Sequence, residues 1–235
     1  MARVSTGIAN GSGGAVPLRL AHRGDHRRFP ENTLAAFRAA LAVPGCDGLE
    51  FDVRASADGI PVVIHDETLR RVQGLPDRIH DLRAEALARL GVPTLDAVMA
   101  QVPGWAFLDV ELKEDVAPVV VDVLRAARGP DFAGVAVSSF DANVLVHVAA
   151  AAPSLARWLN AGELGRETID LAARLRCRAV CVAWSAIDRR GVDAARAAGL
   201  DVAAWTVLRR PTFNRLARLG VVAVCVEGGA LDVGD

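Results

Sequence analysis

Strand-like and helix-like segments alternate along this chain at a nearly constant pitch, and that repetition restricts the fold more than any other feature. Short apolar runs stand at 18–21, 48–53, 61–65, 106–112, 134–138, 155–159, 178–184, 201–206 and 221–226. Between them lie Ala-, Leu- and Arg-rich segments with helical spacing at 33–42, 81–90, 94–102, 115–128, 141–152, 165–175, 188–198 and 211–219. Connections are short, and several break at Pro153, Gly199 or Gly220. Alternation of this kind argues for a parallel sheet, and its repetition for an α/β fold of the (β/α)8, or TIM, barrel type. An open doubly wound sheet is the alternative, but no Gly-x-Gly-x-x-Gly turn follows the first strand.

Nine strand candidates compete for eight places. The segment "RASADGI" before Pro61 is too short for a crossover helix, and its Asp58-Gly59 pair is a hairpin signal. Segment 61–65 is therefore expected to fold back antiparallel on 49–54, as a short β-hairpin arm at the barrel mouth. That places His65 close to Glu50 and Asp52.

The chain has 235 residues, 52% hydrophobic and 23% charged, enough apolar material for one domain with a large core. We expect that domain over 18–235, with the Gly/Ser-rich stretch 1–17 as a flexible N-terminal tail. A net charge of −1 gives no electrostatic case for nucleic-acid binding. No apolar run reaches the roughly 18–20 residues of a transmembrane segment. The N-terminal stretch lacks the apolar core of a signal peptide, so a cytoplasmic protein is expected. Nothing in the sequence sets the oligomeric state. Cys181 and Cys225 sit inside apolar runs, and no second Cys pair or His completes a zinc site near Cys177 and Cys181. Buried thiols are the expectation.

The chemistry concentrates at strand ends. Glu50 and Asp52 in "LEFDVR" share a strand face, as do Asp109, Glu111 and Lys113 in "FLDVELKE". One carboxylate in an apolar strand is most simply half of a structural ion pair. Two strands each presenting an alternating set point to a shared site at the C-terminal face of the barrel. Oxygen ligands without thiolates suit a hard divalent cation, Mg2+ or Ca2+. His22 ends the first strand and His65 the hairpin strand, which fits an acid and a base. His26, His80 and His147 read as structural or solvated. Arg23 and Lys113, the latter the only lysine in the chain, add positive charge suited to a phosphate. Trp205 is either core or a pocket wall. Pro30-Glu31-Asn32-Thr33 reads as a helix start, with Asn32 or Thr33 as the cap.

Together, "HRGDHRRFPENTLAAFRAAL", "GCDGLEFDVRASADGIPVVIHDETLRRVQG", "LDVELK", "VSSFD" and "AWTV" resemble the glycerophosphodiester phosphodiesterase family, in the family's order, from about residue 18 to 208. The resemblance implies a TIM barrel of the PLC-like phosphodiesterase type. It implies cation-dependent hydrolysis of a small-molecule glycerophosphodiester to glycerol 3-phosphate and an alcohol, with the substrate's 2-hydroxyl as nucleophile and a cyclic phosphate that water opens. Under it, Glu50, Asp52 and Glu111 match the metal ligands, and His22 and His65 the acid/base pair. Arg23 and Lys113 match the phosphate-binding positions. Two departures stand out. The family's Thr-Asp-x-Pro element after the last strand is "VEGGA" here, with Glu227 at the acidic place. The 40 residues from His65 to Trp105 leave little room for a large helical insertion, so an open cleft is expected. The competing readings are a lysophospholipase D acting on lysophospholipids, which an apolar rim would favour, and a catalytically inactive barrel that binds a phospho-ligand.

Overall fold

The computed structural model describes residues 16–232; nearly all of the expected tail lies outside the described residues. Eight parallel strands close into a ring: β1 (Leu18–His22), β2 (Gly48–Ala55), β4 (Phe107–Leu112), β5 (Val135–Ser139), β6 (Ala156–Ala161), β7 (Ala179–Ala183), β8 (Asp201–Val207) and β9 (Ala223–Val226). β1 pairs with both β2 and β9, which completes the barrel. The ninth strand, β3 (Pro61–Val63), pairs antiparallel with the upper end of β2 and lies outside the ring. It is shorter than the run 61–65, because Ile64 makes only a single backbone bond, to Asp52, before the chain turns away.

Helices return the chain between ring strands: α1 (Leu34–Leu41), α5 (Ala117–Arg128), α6 (Ala142–Ala151), α7 (Arg166–Arg174), α8 (Arg189–Ala197) and α9 (Arg210–Leu219). Their apolar faces and the outward side chains of the strands, Leu49, Val110, Val137, Val180 and Val224 among them, form the main core. The ring interior is a separate cluster. Trp158 fills it completely buried, surrounded by Ala136, Ala179, Ala203 and Ala223. One large ring against four methyl groups solves the volume problem of a narrow barrel. Phe107 stacks on Trp158 from below, with ring centroids 5.7 Å apart. Gly48 has its own packing reason: a Cβ there would lie 2.0 Å from the Phe107 carbonyl oxygen.

The connection from β3 to β4 holds a compact cap rather than a large insertion. It contains α2 (Arg70–Gln73), a 3-10 turn at Ile79–Asp81, α3 (Ala84–Arg89) and α4 (Leu95–Met99). The single helix expected over 81–90 is broken by the extended backbone of Leu82 and Arg83. Leu69, Ile79, Leu87 and Val92 pack under Val62 and Ile64 as a small core of their own. This core anchors the hairpin that carries His65. All four cysteines are free and buried, as expected, and burial pushes the Cys46 and Cys177 thiols up to about 11.

Candidate active site

A cavity of about 190 Å3 opens at the C-terminal ends of the ring strands, lined by His22, Arg23, Glu50, His65, Glu111, Lys113 and, toward its walls and floor, Asp109, Phe140, Asn160 and Trp205. Every residue expected at the site except Asp52 lines it, and Asp52 is buried behind Arg23 and Lys113, which do. Parallel pairing sets Glu50 opposite Asp109 and Asp52 opposite Glu111. Period-two geometry turns all four inward. Ligand oxygens of Glu50, Asp52 and Glu111 lie within 4.8 Å of one another.

Three buried acids in so small a volume cannot all stay ionised without compensation. Burial, followed by the charges of Asp52, Glu111 and Asp109, raises Glu50 well above the usual carboxylate range. Burial likewise raises Glu111, with Asp52 adding to it. Asp52 goes the other way: burial opposes its charge, but Lys113 and Arg23 outweigh that cost and lower its pKa. Lys113 Nζ lies 2.9 Å from Asp52 Oδ1 and contacts Glu111 Oε1, and Arg23 Nε lies 3.0 Å from Asp52 Oδ2. Glu50 is different. Both of its carboxylate oxygens are buried with no hydrogen-bond partner, a costly state for an acid unless something else binds it. A hard divalent cation fits this donor set of carboxylate oxygens.

The two imidazoles share a design. His22 Nδ1 lies 2.5 Å from Glu227 Oε1, and its Nε2 lies 3.7 Å from Glu50 Oε2. His65 Nδ1 lies 2.6 Å from Asp66 Oδ1, and Asp66 is in turn gripped by Arg71 at 2.7 Å. A carboxylate acceptor behind Nδ1 requires the proton there, which leaves the Nε2 lone pair available. Burial lowers the His65 pKa, against the opposing pull of Asp52 and Asp66.

Two backbone strains serve the same acid. Arg23 and Asn32 both have positive φ, 57° and 56°, a conformation that costs a non-glycine residue about 1–3 kcal/mol. Both side chains reach Asp52; Asn32 Nδ2 donates to Oδ2 at 2.8 Å. Gly24 makes the turn between them feasible, since its φ is +84° and a Cβ would meet Ala36 at 2.7 Å.

Several site residues escape the sequence reading. Asn32 is not the helix cap; Thr33 is, accepting from the Ala36 N–H at 3.2 Å. Glu31, just ahead of the helix start, bridges Arg23 and Arg71. His26, read as structural or solvated, takes the first alternative, its Nε2 lying 3.4 Å from Glu227 Oε2. His80 and His147 pair with Glu114 and Asp115 on the exterior, as expected. Trp205 lines the pocket, donates to the Cys181 carbonyl at 3.1 Å and meets Phe140 edge-on.

Comparison with known proteins agrees with this geometry. The model of the glycerophosphoryl diester phosphodiesterase family matches residues 22–228. A glycerophosphodiester phosphodiesterase from Caldanaerobacter subterraneus subsp. tengcongensis is 30% identical over 230 residues, spanning 89% of this chain and 93% of that protein. Among solved structures, an Oleispira antarctica phosphodiesterase in complex with the product sn-glycerol-3-phosphate superposes with a TM-score of 0.81 at 28% identity, covering 90% of this chain and 93% of the other. The glycerophosphodiester phosphodiesterase from Thermotoga maritima gives 0.79 at 26% identity, over 91% and 96% of the two chains.

Proposed function

The chain belongs to the glycerophosphoryl diester phosphodiesterase family and is a glycerophosphodiester phosphodiesterase; from that premise we propose a cation-dependent hydrolysis run by two imidazoles. The products are glycerol 3-phosphate and an alcohol. The observation that carries the reading is the cradle itself: three inward carboxylates, one of them buried without a hydrogen-bond partner, between His22 and His65. Glu50, Asp52 and Glu111 would hold Mg2+ or Ca2+. Bound there, the ion supplies positive charge that stabilises the phosphate oxygens as negative charge builds on them.

The chain's own groups perform the rest. Arg23 and Lys113, held at the mouth by Asp52, Glu31 and Glu111, bind and orient the diester's phosphate. One imidazole accepts the proton of the attacking 2-hydroxyl at its free Nε2 and becomes imidazolium, and the other, entering the step as imidazolium, delivers its Nε2 proton to the leaving oxygen and becomes neutral. Water then opens the cyclic phosphate, with the roles exchanged. Glu227 and Asp66 fix the tautomer and the ring orientation. Trp205 and Phe140 wall the pocket beside the glycerol moiety.

The inactive-barrel reading has only the altered closing loop in its favour, and that loop supplies the carboxylate behind His22. A second reading has a specific observation behind it. Phe29, Phe140, Trp184 and Leu208 stand 40–56% exposed on loops that follow β1, β5, β7 and β8. That places them on the barrel face that bears the cavity. This apolar rim favours lysophospholipids as additional substrates, with the headgroup in the small cavity and the acyl chain across the rim. No helix among the described residues is long and apolar enough to cross a membrane, so contact with such lipids would come from this face.

The test is a panel of glycerophosphodiesters and lysophospholipids, assayed with and without chelator, with products identified. Release of glycerol 3-phosphate that stops in chelator is expected. Cleavage that frees a phosphomonoester of the other alcohol, or that ignores the chelator, refutes the reading.

A further inference from the structure

A second cluster of metal-ligating side chains stands beside the carboxylate cradle. The pairing of β1 with β9 sets Ala21 opposite Val226. The next residue on each strand, His22 and Glu227, therefore leaves the ring side by side. The tight turn through Arg23 and Gly24 then brings the chain back, and His26 reaches the same carboxylate. His22 Nδ1 lies 2.5 Å from Glu227 Oε1, and His26 Nε2 lies 3.4 Å from Glu227 Oε2.

This juxtaposition is built in. Arg27 grips Asp25 within the loop at 2.7 and 2.9 Å. It also crosses to the Gly228 carbonyl and to Asp232, at 3.2 and 2.7 Å. Loop 22–27 is thereby fastened to the segment after β9, with His26 facing Glu227. Nothing in the hydrolytic scheme uses His26. One ligand atom from each of the three residues lies within 4.8 Å of the others. Two imidazoles and one carboxylate form the donor set a borderline cation such as Zn2+ accepts, with its fourth position left to water. All three side chains are partly accessible, at 14%, 32% and 21% for His22, His26 and Glu227, so an ion has an entry path.

We propose that His22 Nδ1, His26 Nε2 and the Glu227 carboxylate form a Zn2+ site that inhibits the enzyme through the tautomer of His22. Binding stands on this geometry alone, whereas the inhibition rests on the role assigned to His22 above. In the free protein the single proton of neutral His22 sits on Nδ1, facing Glu227. Zn2+ takes the Nδ1 lone pair, so that proton must reside on Nε2. The ring keeps one proton and no electron changes hands. His22 can then donate at Nε2 but no longer accept there, and Glu227 turns from hydrogen-bond acceptor to ligand.

Equilibrium dialysis against Zn2+ in excess Mg2+, with metal analysis, tests the binding. The wild-type chain and the Glu50→Gln variant are each expected to retain one Zn2+ that Mg2+ does not displace. His26→Ala is expected to weaken that uptake by at least about tenfold, given the about 10- to 100-fold losses seen even for outer-shell changes. In parallel, Zn2+ should inhibit Mg2+-saturated wild type, while His26→Ala keeps its turnover and needs at least about tenfold more Zn2+ for half inhibition. Uptake lost in Glu50→Gln but kept in His26→Ala places the ion in the carboxylate cradle and overturns the proposal, as does wild-type Zn2+ sensitivity in His26→Ala. Uptake is read without turnover, so failure of the hydrolytic reading does not obscure the answer.

Discussion

Replacing Asp109 with Asn should stabilise the fold, and only when the pH is high. Asp109 is buried at the floor of the cavity, and burial, with further repulsion from Glu111 and Asp52, pushes its carboxyl up to about 7 from 3.8. Because the folded value lies above the unfolded one, the folded chain holds this proton more tightly. Its stabilising effect is complete below about pH 4 and disappears as the pH rises to about 7. The gap, at about 1.4 kcal/mol per pH unit, sets a ceiling on the order of 4 kcal/mol above neutrality. Asparagine has nearly the same shape and no charge to bury. In chelator at pH 8, relaxation and water entry leaving half the ceiling, Asp109→Asn should raise Tm by roughly 4–8 °C for a domain of this size. At pH 4.5 the two proteins should melt within roughly 2 °C of each other. Calorimetry at both pH values decides the matter. An equal shift at both, or a loss at pH 8, refutes the claim that charge burial at this position works against folding.

Other outcomes follow from the same geometry. His22→Ala and His65→Ala should each lower kcat by about 10^2- to 10^4-fold at an unchanged circular-dichroism spectrum; wild-type turnover in either removes that imidazole from the chemistry. Trp158→Ala empties the barrel interior, where its neighbours are mostly small residues, four alanines and two cysteines with Leu20, and should cost about 3–5 kcal/mol in denaturant titration. Phe29→Ala and Trp184→Ala, at rim positions outside the cavity lining, should reduce hydrolysis of lysophospholipids by about tenfold or more while sparing short glycerophosphodiesters, an effect on the order of one buried aromatic contact. Equal losses on both substrate classes argue against the rim as an acyl-chain surface.

The barrel was legible because its two periods are. Residues such as Val180 and Val224 face the helices while Cys181 and Cys225 face inward, and strand spacing carries that information without any tertiary knowledge. The hairpin was legible because seven residues cannot form a crossover. Glu50, Asp52 and Glu111 betrayed themselves as charges in apolar strands. The second layer of the site left no such mark. Asn32 looks like a helix cap locally, and only its positive φ turns the side chain toward Asp52. Glu227 lies 205 residues from His22, and their contact depends on ring closure between β1 and β9. His26 is invisible in the same way, since a loop histidine among arginines has no periodic signature. The break at Leu82 and Arg83 is a tertiary override: the helix pattern over 81–90 yields to the packing of Ile79 and Leu87 beneath the hairpin.

The account turns on one cation held by Glu50, Asp52 and Glu111 for hydrolysis of a phosphodiester. Its most direct test is the rate of glycerophosphodiester hydrolysis measured against free Mg2+ and Ca2+, in wild type and in Glu50→Gln. Wild-type activity should fall to background in chelator and recover as cation is restored, while Glu50→Gln, lacking the unpartnered carboxylate, should not recover over the same range. Full wild-type turnover in chelator, or an unchanged cation dependence in Glu50→Gln, would contradict it.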